Sequence, residues 1–300
     1  MLNVAEQRAV VTEIAAFTGI DCSGCEWQGV AGGDINQAWK LVTRDGHAWF
    51  LKLNQPAFAE YFAAEHDGLC ELKRAADIRV PEPTGHGVTD MHAWLLLEWL
   101  DLTPPDAAAD ERCGYALANM HRITADRFGW HRDNVIGATL QSNKQSDDWV
   151  NFYRDERLAP QLALAGRNGV PAGVLKLATR LLDNLDAFFV AYEPCPSLLH
   201  GDLWGGNRSA LVDGTPVLFD PATYFGDREA DLAMTRLFGG FGADFYTAYN
   251  AAWPLQPGFE ERQDLYNLYH ILNHFNLFGA GYQARTESLL QRLVDHLERV

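Results

Sequence analysis

The order of apolar and polar residues divides the chain into a strand-rich first third and a helical remainder. A period near 3.6 predicts a helix over residues 3–18 that ends at Gly19. Apolar runs bounded by turn residues then predict strands within 27–42, 47–53, 84–88 and 93–98, interrupted by a helix over 57–75. Because tight turns join most of these strands, we expect a five-stranded antiparallel sheet.

The rest of the chain is mostly helical in its pattern. Helical periodicity covers residues 106–122, 147–167 and 172–192, and it resumes at Asp227 and continues to the C-terminus. Residues 128–137 form a polar and aromatic stretch without a period, which predicts an irregular loop. We therefore expect an α+β protein of two lobes: a small antiparallel-sheet lobe at residues 1–100 and a larger, mainly helical lobe at residues 101–300.

Composition narrows the class of partner. The formal charge of −16 opposes binding to nucleic acid or to an anionic membrane, because the field would repel phosphate groups. The apolar run at residues 93–97 is much too short to span a bilayer, and the first helix is amphipathic rather than a signal peptide. Five cysteines, an odd number, fit a reducing compartment, so we expect a cytoplasmic protein.

Two pairs of metal-capable residues are interpreted as structural. Cys22 and Cys25 form a CxxC, which could be redox-active or half of a zinc site, but there is no second CxxC and no nearby Cys/His cluster to complete four ligands. His270 and His274 stand four residues apart without the glutamate of HExxH, so they are not expected to bind a metal.

One stretch carries the clearest chemistry. The segment HGDLWGGN begins at His200 and is followed, beyond a predicted hairpin at residues 211–218, by Asp220. An aspartate five residues before an asparagine, with a second aspartate beyond a hairpin, is the spacing of the phosphoryl-transfer site in protein kinases. Asp202 is therefore predicted to act on the attacking hydroxyl, and Asn207 and Asp220 to hold Mg²⁺ against the phosphates of ATP.

Three features of the predicted sheet lobe fit such a site. Lys52 lies inside an apolar strand; such lysines usually face solvent, but beside a kinase-like site we predict that it contacts phosphates. Glu65 lies on the inward face of the helix at residues 57–75 and is its expected partner, with Glu60 as the alternative. A glycine pair, Gly32 and Gly33, permits a loop over the phosphates, although it matches neither GxGxxGxV nor Walker A.

The connection between the predicted lobes is extended. Glu98-Trp99-Leu100-Asp101 is followed by two prolines, and such a segment can offer backbone amide and carbonyl groups to an adenine. We place the adenine contacts at Glu98 and Leu100.

These motifs together resemble one family. HGDLWGGN, the segment DPATYFGDRE from Asp220, WHRDNVIG from Trp130 and YHILNH from Tyr269 look like the fructosamine/ketosamine kinase family over essentially the whole chain. The resemblance implies a protein-kinase-like fold related to aminoglycoside phosphotransferases. It also implies ATP- and Mg²⁺-dependent phosphorylation of the sugar 3-hydroxyl of ketosamines, either small molecules or glycated protein lysines, which leads to release of the amine.

Roles for individual residues follow from the resemblance. Asp202 would be the base, Asn207 and Asp220 the Mg²⁺ ligands, and Lys52 with Glu65 the pair that orients the phosphates. Gly32 and Gly33 would cover the phosphates. Contacts to the ketosamine are expected from Trp204, Asp133 and Asn134.

Two departures from the family pattern limit what is carried over. Some relatives have a cysteine in the glycine-rich loop where this chain has Asp34, so redox regulation there is not expected. Asp220-Pro221 replaces the DFG of protein kinases, so an activation flip is not expected either.

Two other functions remain open at this point. One is a kinase for another small alcohol, such as an aminoglycoside, choline or a sugar. The other is a non-catalytic ATP-binding or scaffold protein. The preferred sugar and the oligomeric state do not follow from the sequence.

Overall fold

The first third of the chain forms an antiparallel sheet with a helix on each face. The computed structural model describes residues 2–31 and 35–299. The strands are β1 (Glu26–Gly29), β2 (Gln37–Val42), β3 (Ala48–Asn54), β4 (Pro83–Val88) and β5 (Ala93–Glu98), and the helices are α1 (Val4–Thr18) and α2 (Ala59–Leu72). The strands pair antiparallel in the order β1-β2-β3-β5-β4, which confirms the predicted five-stranded sheet.

The middle of the sheet is buried on both faces. On β5, Trp94 and Leu96 join a core cluster with residues of α1, whereas Leu95 and Leu97 join the larger cluster that contains residues of α2 and of the helical part of the chain. Alternate residues of a strand point to opposite faces. Double burial therefore explains why the sequence of β5 is continuously apolar rather than alternating.

The remaining residues form a helical body with three short ribbons. Its helices are α3 (Ala107–His121), α4 (Trp149–Phe152), α5 (Ala159–Arg167), α6 (Ala172–Leu182), α7 (Glu229–Leu237), α8 (Ala243–Ala252), α9 (Phe259–Phe278) and α10 (Gln283–Leu297). Its strands are β6 (Asn134–Ile136), β7 (Thr139–Gln141), β8 (Ser197–Leu199), β9 (Arg208–Ala210), β10 (Pro216–Leu218) and β11 (Tyr224–Gly226). The ribbons are β6-β7, β9-β10 and β8-β11. α9 is central, because α5, α7 and α10 all pack on it.

Three predicted segments differ from the structure. The helix expected over 147–167 is α4, a π-helical turn at Tyr153–Leu158 and α5 in continuous succession. The helix expected over 172–192 ends at Leu182, since Asn184 Nδ2 donates to the Arg180 carbonyl (2.9 Å) in competition with the helical ladder, and a 3₁₀ helix follows. The loop expected over 128–137 contains β6.

α1 is the amphipathic helix that the pattern predicts. A capping box between Asn3 and Glu6 begins it, and Val10 and Ile14 are fully buried against the sheet. Across the described residues, no helix combines the length and the apolar character needed to cross a bilayer.

Candidate active site

The segment HGDLWGGN is fixed at both of its ends by backbone hydrogen bonds. The Ala222 amide donates to the His200 carbonyl (2.9 Å), and the Phe219 amide donates to the Asn207 carbonyl (3.1 Å). Gly201 has φ +83°, and a Cβ there would lie 2.0 Å from the Ala222 carbonyl oxygen, so only glycine fits. β9 and β10 form the predicted hairpin, which returns the chain to the side of the segment where Asn207 lies.

Asp231, in α7, holds the start of the same segment. Its buried carboxylate accepts hydrogen bonds from the backbone amides of His200 (2.7 Å) and Gly201 (2.9 Å) and lies 3.2 Å from His121 Nε2. Burial opposes its charge, but these partners outweigh burial and lower the pKa of Asp231. Asp231 therefore braces the backbone of this segment from α7.

Asp231→Asn is expected to lower both stability and turnover. An amide of the same size must turn one N–H toward the backbone donors, so at least one buried amide loses its acceptor at a cost of about 1–3 kcal/mol. A thermal melt should show a lower Tm, and kcat should fall about tenfold as the segment loosens. Asp244→Asn, at an exposed site in α8, is the control. A lower Tm with an unchanged kcat would contradict a role in positioning.

Asp202, Asn207 and Asp220 meet in one cluster. Asn207 Nδ2 donates to the Asp202 carbonyl (2.9 Å), to Asp202 Oδ2 (3.1 Å) and to the Asp220 carbonyl (3.4 Å). Asp220 has φ +56°, a left-handed conformation that aspartate tolerates better than most residues. The spacing in the sequence therefore corresponds to real proximity of all three residues.

Lys52 joins this cluster from the sheet. Its neighbours Leu51 and Leu53 face α1, so strand alternation turns Lys52 to the opposite face, where Nζ lies 2.6 Å from Glu65 Oε1 and 2.6 Å from Asp220 Oδ1. Burial opposes its charge, but the two carboxylates more than offset burial and raise the pKa of Lys52. Lys52 is therefore a buried cation, and Glu65 is its partner in α2.

Glu60, the alternative partner for Lys52, lies elsewhere. Its exposed carboxylate is 3.1 Å from Arg132 Nη2. Of the two glutamates considered, the structure brings only Glu65 to Lys52.

The Asp202 carboxylate is in an unusual electrostatic position. Burial and the nearby charge of Asp220 raise the pKa of Asp202 to about 7, against the opposing hydrogen bond from Asn207. A carboxylate with such a pKa can accept a proton near neutral pH, which suits a general base. His270 Nδ1 is 4.0 Å from Asp202 Oδ1.

These side chains open into a cavity of about 610 Å³. Part of its lining is polar, with Lys52, Asp202, Asn207 and Asp220. We call another part of the lining the aromatic wall, formed by Trp204, Phe238, His274, Phe278 and Tyr282. The rings contact one another, with centroids 4.8 Å apart for Phe238 and His274 and 5.1 Å apart for His274 and Tyr282. An acceptor with a polar part and a less polar part fits such a lining.

Of the three residues predicted to contact the acceptor, two line the cavity and one does not. Trp204 lines the cavity and is 40% exposed, as an acceptor contact requires. Asn134 lines it too, but its amide donates to the Thr223 carbonyl (2.8 Å) and accepts from Gln141 (2.8 Å). Asp133 is not among the lining residues. Its carboxylate accepts the Asn143 amide (2.8 Å), because the β6-β7 ribbon folds this stretch back on itself.

The predicted nucleotide contacts lie partly outside the cavity. Glu98 and Leu100 do not line it. The Glu98 amide donates to the Glu82 carbonyl (2.9 Å), so the backbone group that Glu98 could offer to an adenine is its carbonyl. Gly32 and Gly33 lie outside the described residues.

The cluster suits a hard divalent cation such as Mg²⁺. Its candidate ligands are oxygens, which hard cations prefer. The nitrogen of the Asn207 amide is used in hydrogen bonds, so its oxygen is the atom left for a cation, and the Asp220 side chain is 47% exposed beside it. The described residues contain no group of three or more His, Cys, Asp or Glu side chains placed to hold a metal. One carboxylate, that of Asp220, with the Asn207 amide, completed by phosphate oxygens, is compatible with that result.

The aromatic wall was not foreseen from the sequence. Two of its residues, His274 and Phe278, follow His270 at intervals of four on α9. This spacing places the three side chains on one helical face and was the available sequence signal for the wall. The two histidines were considered only as a metal pair.

Comparison with known proteins supports one family. A family model described as fructosamine kinase matches residues 7–296. A protein of Synechocystis sp. named probable ketoamine kinase is 44% identical over 294 residues, which cover 96% of this chain and 97% of that protein. A chloroplastic protein-ribulosamine 3-kinase of Arabidopsis thaliana is 40% identical, and the match covers 87% of this chain and 80% of that protein.

A solved structure agrees with these sequences. The crystal structure of a protein named as a fructosamine-3-kinase from Haemophilus somnus matches with a TM-score of 0.87 and 28% identity, over 96% of this chain and 97% of that chain. The predicted fold, a protein-kinase-like α+β arrangement of a small sheet lobe and a larger helical lobe, is confirmed. With its matching family model and relatives that cover nearly its whole length, the chain belongs to the fructosamine kinase family.

Proposed function

We propose that this protein is an ATP-dependent ketosamine kinase that phosphorylates the sugar 3-hydroxyl of fructosamines or ribulosamines. The observation that carries the proposal is the meeting of Lys52, Asp202, Asn207 and Asp220 in the lining of one cavity, in a chain of the fructosamine kinase family. Phosphoryl transfer needs a base, a cation for the phosphates and oxygen ligands for a metal. These four residues supply them.

The base and the lysine have distinct tasks. The acceptor hydroxyl binds beside Asp202, which takes its proton as the hydroxyl oxygen bonds to the γ-phosphorus, the bond to the bridging β-γ oxygen breaks and ADP leaves. Lys52 orients the phosphates and offsets negative charge that develops on them, while Glu65 holds its ammonium in place. Asp231 keeps the backbone around Asp202 in position.

Asn207 and Asp220 are the residues that would hold Mg²⁺. When bound, the ion neutralises charge on the β- and γ-phosphates. The hydrogen bond from Asn207 Nδ2 to the backbone carbonyl of Asp220 (3.4 Å) joins these two ligands.

The proposal extends to the nucleotide and the lobes. Residues 1–100 would form the nucleotide-binding lobe and residues 101–300 the lobe that binds the acceptor. Gly32 and Gly33 would cover the phosphates, and Glu98 and Leu100 would contact the adenine through their backbone. At the acceptor end, Trp204 is retained as a contact, whereas Asp133 and Asn134 would act by shaping the loop that borders the cavity.

The reaction would lead to deglycation. A phosphate ester at the 3-position of a ketosamine is unstable and decomposes, which frees the amine. The acceptors would then be ketosamines on small amines or on protein lysines.

A panel of acceptors tests the proposal. We expect Mg²⁺-dependent ATP consumption to be stimulated by fructosyl-lysine or ribulosyl-lysine, and not by an aminoglycoside, by choline or by buffer alone. The ratio of kcat/KM values ranks the two sugars. Stimulation by a different alcohol alone would keep the kinase and overturn deglycation, and no stimulation by any acceptor would favour a non-catalytic ATP-binding protein.

A further inference from the structure

Arg132 joins α2 to the helical body of the protein. Its Nη1 donates to Asp67 Oδ2 (2.6 Å), and its Nη2 donates to Glu60 Oε2 (3.1 Å). The two carboxylates are seven residues apart on α2, so they lie two turns apart on one face of the helix. Among the described residues, these are the only side-chain hydrogen bonds between α2 and residues 101–299.

Glu65 lies on α2 between the two carboxylates that Arg132 binds. It is also the residue that holds the ammonium of Lys52 (2.6 Å). A guanidinium is planar and binds its partners in a fixed geometry, so contacts two turns apart oppose both rotation and sliding of the helix between them. Because a rotation of α2 would move the Glu65 carboxylate away from β3, the contacts of Arg132 protect the pair of Lys52 and Glu65.

Asp67 is the stronger of the two partners of Arg132. The side chains of Arg132 and Asp67 are partly shielded from solvent, whereas that of Glu60 is 86% exposed, where water and salt weaken an ion pair. Burial opposes the charge of Asp67, but hydrogen bonds from Arg132 and His66 outweigh burial and lower the pKa of Asp67. Asp67 is therefore ionised at neutral pH.

The backbone around Arg132 is bound to the segment that follows Asp220. The Arg132 carbonyl accepts a hydrogen bond from Asn143 Nδ2 (3.0 Å). Two residues further on, Asn134 Nδ2 donates to the Thr223 carbonyl (2.8 Å). The loop that carries Arg132 is thus fixed to the segment of Asp220, and its guanidinium extends from there to α2.

α2 also packs directly against this segment. A Cβ on Gly68 would lie 3.1 Å from Thr223 Oγ1 and 3.6 Å from Pro221 Cγ, so the helix approaches closely at this glycine. The close approach fixes how near α2 lies to the segment, but a glycine has no side chain that could fix the rotation of the helix. The contacts of Arg132 supply that second constraint.

We propose that Arg132 is a positioning residue: through Asp67 it holds α2 in the orientation in which Glu65 keeps Lys52 directed at the phosphates of ATP. The inference rests on the ATP site of the proposed function and adds a residue that acts on this site from outside. Arg132 does not line the cavity, so its effect passes through α2 and not through a contact with substrate.

A double-mutant cycle between Arg132 and Glu65 tests the inference. The variants are Arg132→Met, Glu65→Gln and the two combined, with Arg132→Lys as the conservative replacement. The readouts are the Kd for MgATP by calorimetry, kcat/KM with fructosyl-lysine, and the Tm. Arg127→Met is the matched control, because Arg127 is an exposed arginine five positions earlier that binds Asp147 (2.6 Å) and not α2.

The expected result is that the two losses do not multiply. Arg132→Met and Glu65→Gln should each raise the Kd for MgATP and lower kcat/KM about tenfold, the scale of coupling between neighbouring residues. The double variant should lose no more than Glu65→Gln alone, because Arg132 acts through Glu65. Arg132→Lys keeps the charge without the planar fork and should recover part of the loss. Arg127→Met should match the wild type.

Other outcomes would overturn the inference. Losses that multiply in the double variant would mean that Arg132 does not act through Glu65, and a lower Tm with an unchanged Kd and kcat/KM would mean that the contact only stabilises the fold. If Arg132→Met does not fold, Asp67→Asn, which keeps the size of the side chain, replaces it in the cycle, and multiplied losses there count equally against the inference.

Failure of the proposed function can be recognised separately. A wild type that binds MgATP but phosphorylates no ketosamine would overturn the proposed function. The cycle measured on the Kd for MgATP needs no acceptor, so it would still decide the role of Arg132.

Discussion

Asp202→Asn is expected to lower kcat by at least about a hundredfold, the usual scale of general-base catalysis, without weakening ATP binding. The amide is isosteric with the carboxylate and can still accept the hydrogen bond from Asn207, so the segment keeps its shape. It cannot take a proton from the acceptor. The measurement is kcat at saturating ketosamine and ATP, together with the Kd for ATP by calorimetry.

Asp213→Asn is a matched control for this prediction. Asp213 lies at the exposed turn of the β9-β10 hairpin, where its carboxylate accepts a hydrogen bond from the Thr215 amide (2.9 Å), and it does not line the cavity. This variant should keep the wild-type kcat. Near-wild-type turnover in Asp202→Asn would refute the assignment of the base, and a large loss of ATP affinity would mean that the substitution disturbs the nucleotide site instead.

The core of the site could be predicted because short-range rules place it. The interval from Asp202 to Asn207 stays within one segment, and the hairpin signal at residues 211–218 is local. The pairing of Lys52 with Glu65 was predicted from the periodicity of a strand and of a helix, because periodicity decides the face on which each residue lies. Such a pairing can be predicted once the fold class is known, without knowledge of how the side chains pack in detail.

The acceptor end could be predicted less well because its polar groups compete for partners that are distant in sequence. Asn134 binds Thr223, which is 89 positions away, and this use of its amide is visible only in the folded chain. The same holds for His270, whose distance of 4.0 Å from Asp202 depends on where α9 lies in the folded chain. The interval between His270 and His274 indicated a shared helical face, and it did not indicate what that face would meet.

Arg157 shows the limit of charge as a guide to exposure. The residue is fully buried; its Nη2 donates to Asn143 Oδ1 (2.6 Å), and its guanidinium lies 4.0 Å from the centre of the Tyr224 ring. An arginine in a helical pattern is normally assigned to the solvent face. Here a π-helical turn and a set of carbonyl and aromatic partners hold it inside, and none of these features has a sequence signal.

Lys52→Met is expected to lower kcat/KM by at least about a hundredfold and also to destabilise the protein. The variant removes the cation that faces the phosphates, and it leaves the Glu65 carboxylate buried without its partner at a cost of about 3 kcal/mol or more. The measurements are steady-state kinetics and the free energy of unfolding from denaturant titration. Lys40→Met, which removes a cation 4.2 Å from the centre of the Trp99 ring, is the control and should change both quantities only slightly.

The double variant Lys52→Met with Glu65→Gln separates the two effects. A neutral glutamine no longer buries an unpaired charge, so most of the lost stability should return. Activity should not return, because the phosphates still lack their cation. If activity recovered together with stability, Lys52 would serve only to neutralise Glu65 and Asp220 in the folded protein. If stability recovered without activity, the ion pair between Lys52 in β3 and Glu65 in α2 would serve to present the lysine to the nucleotide.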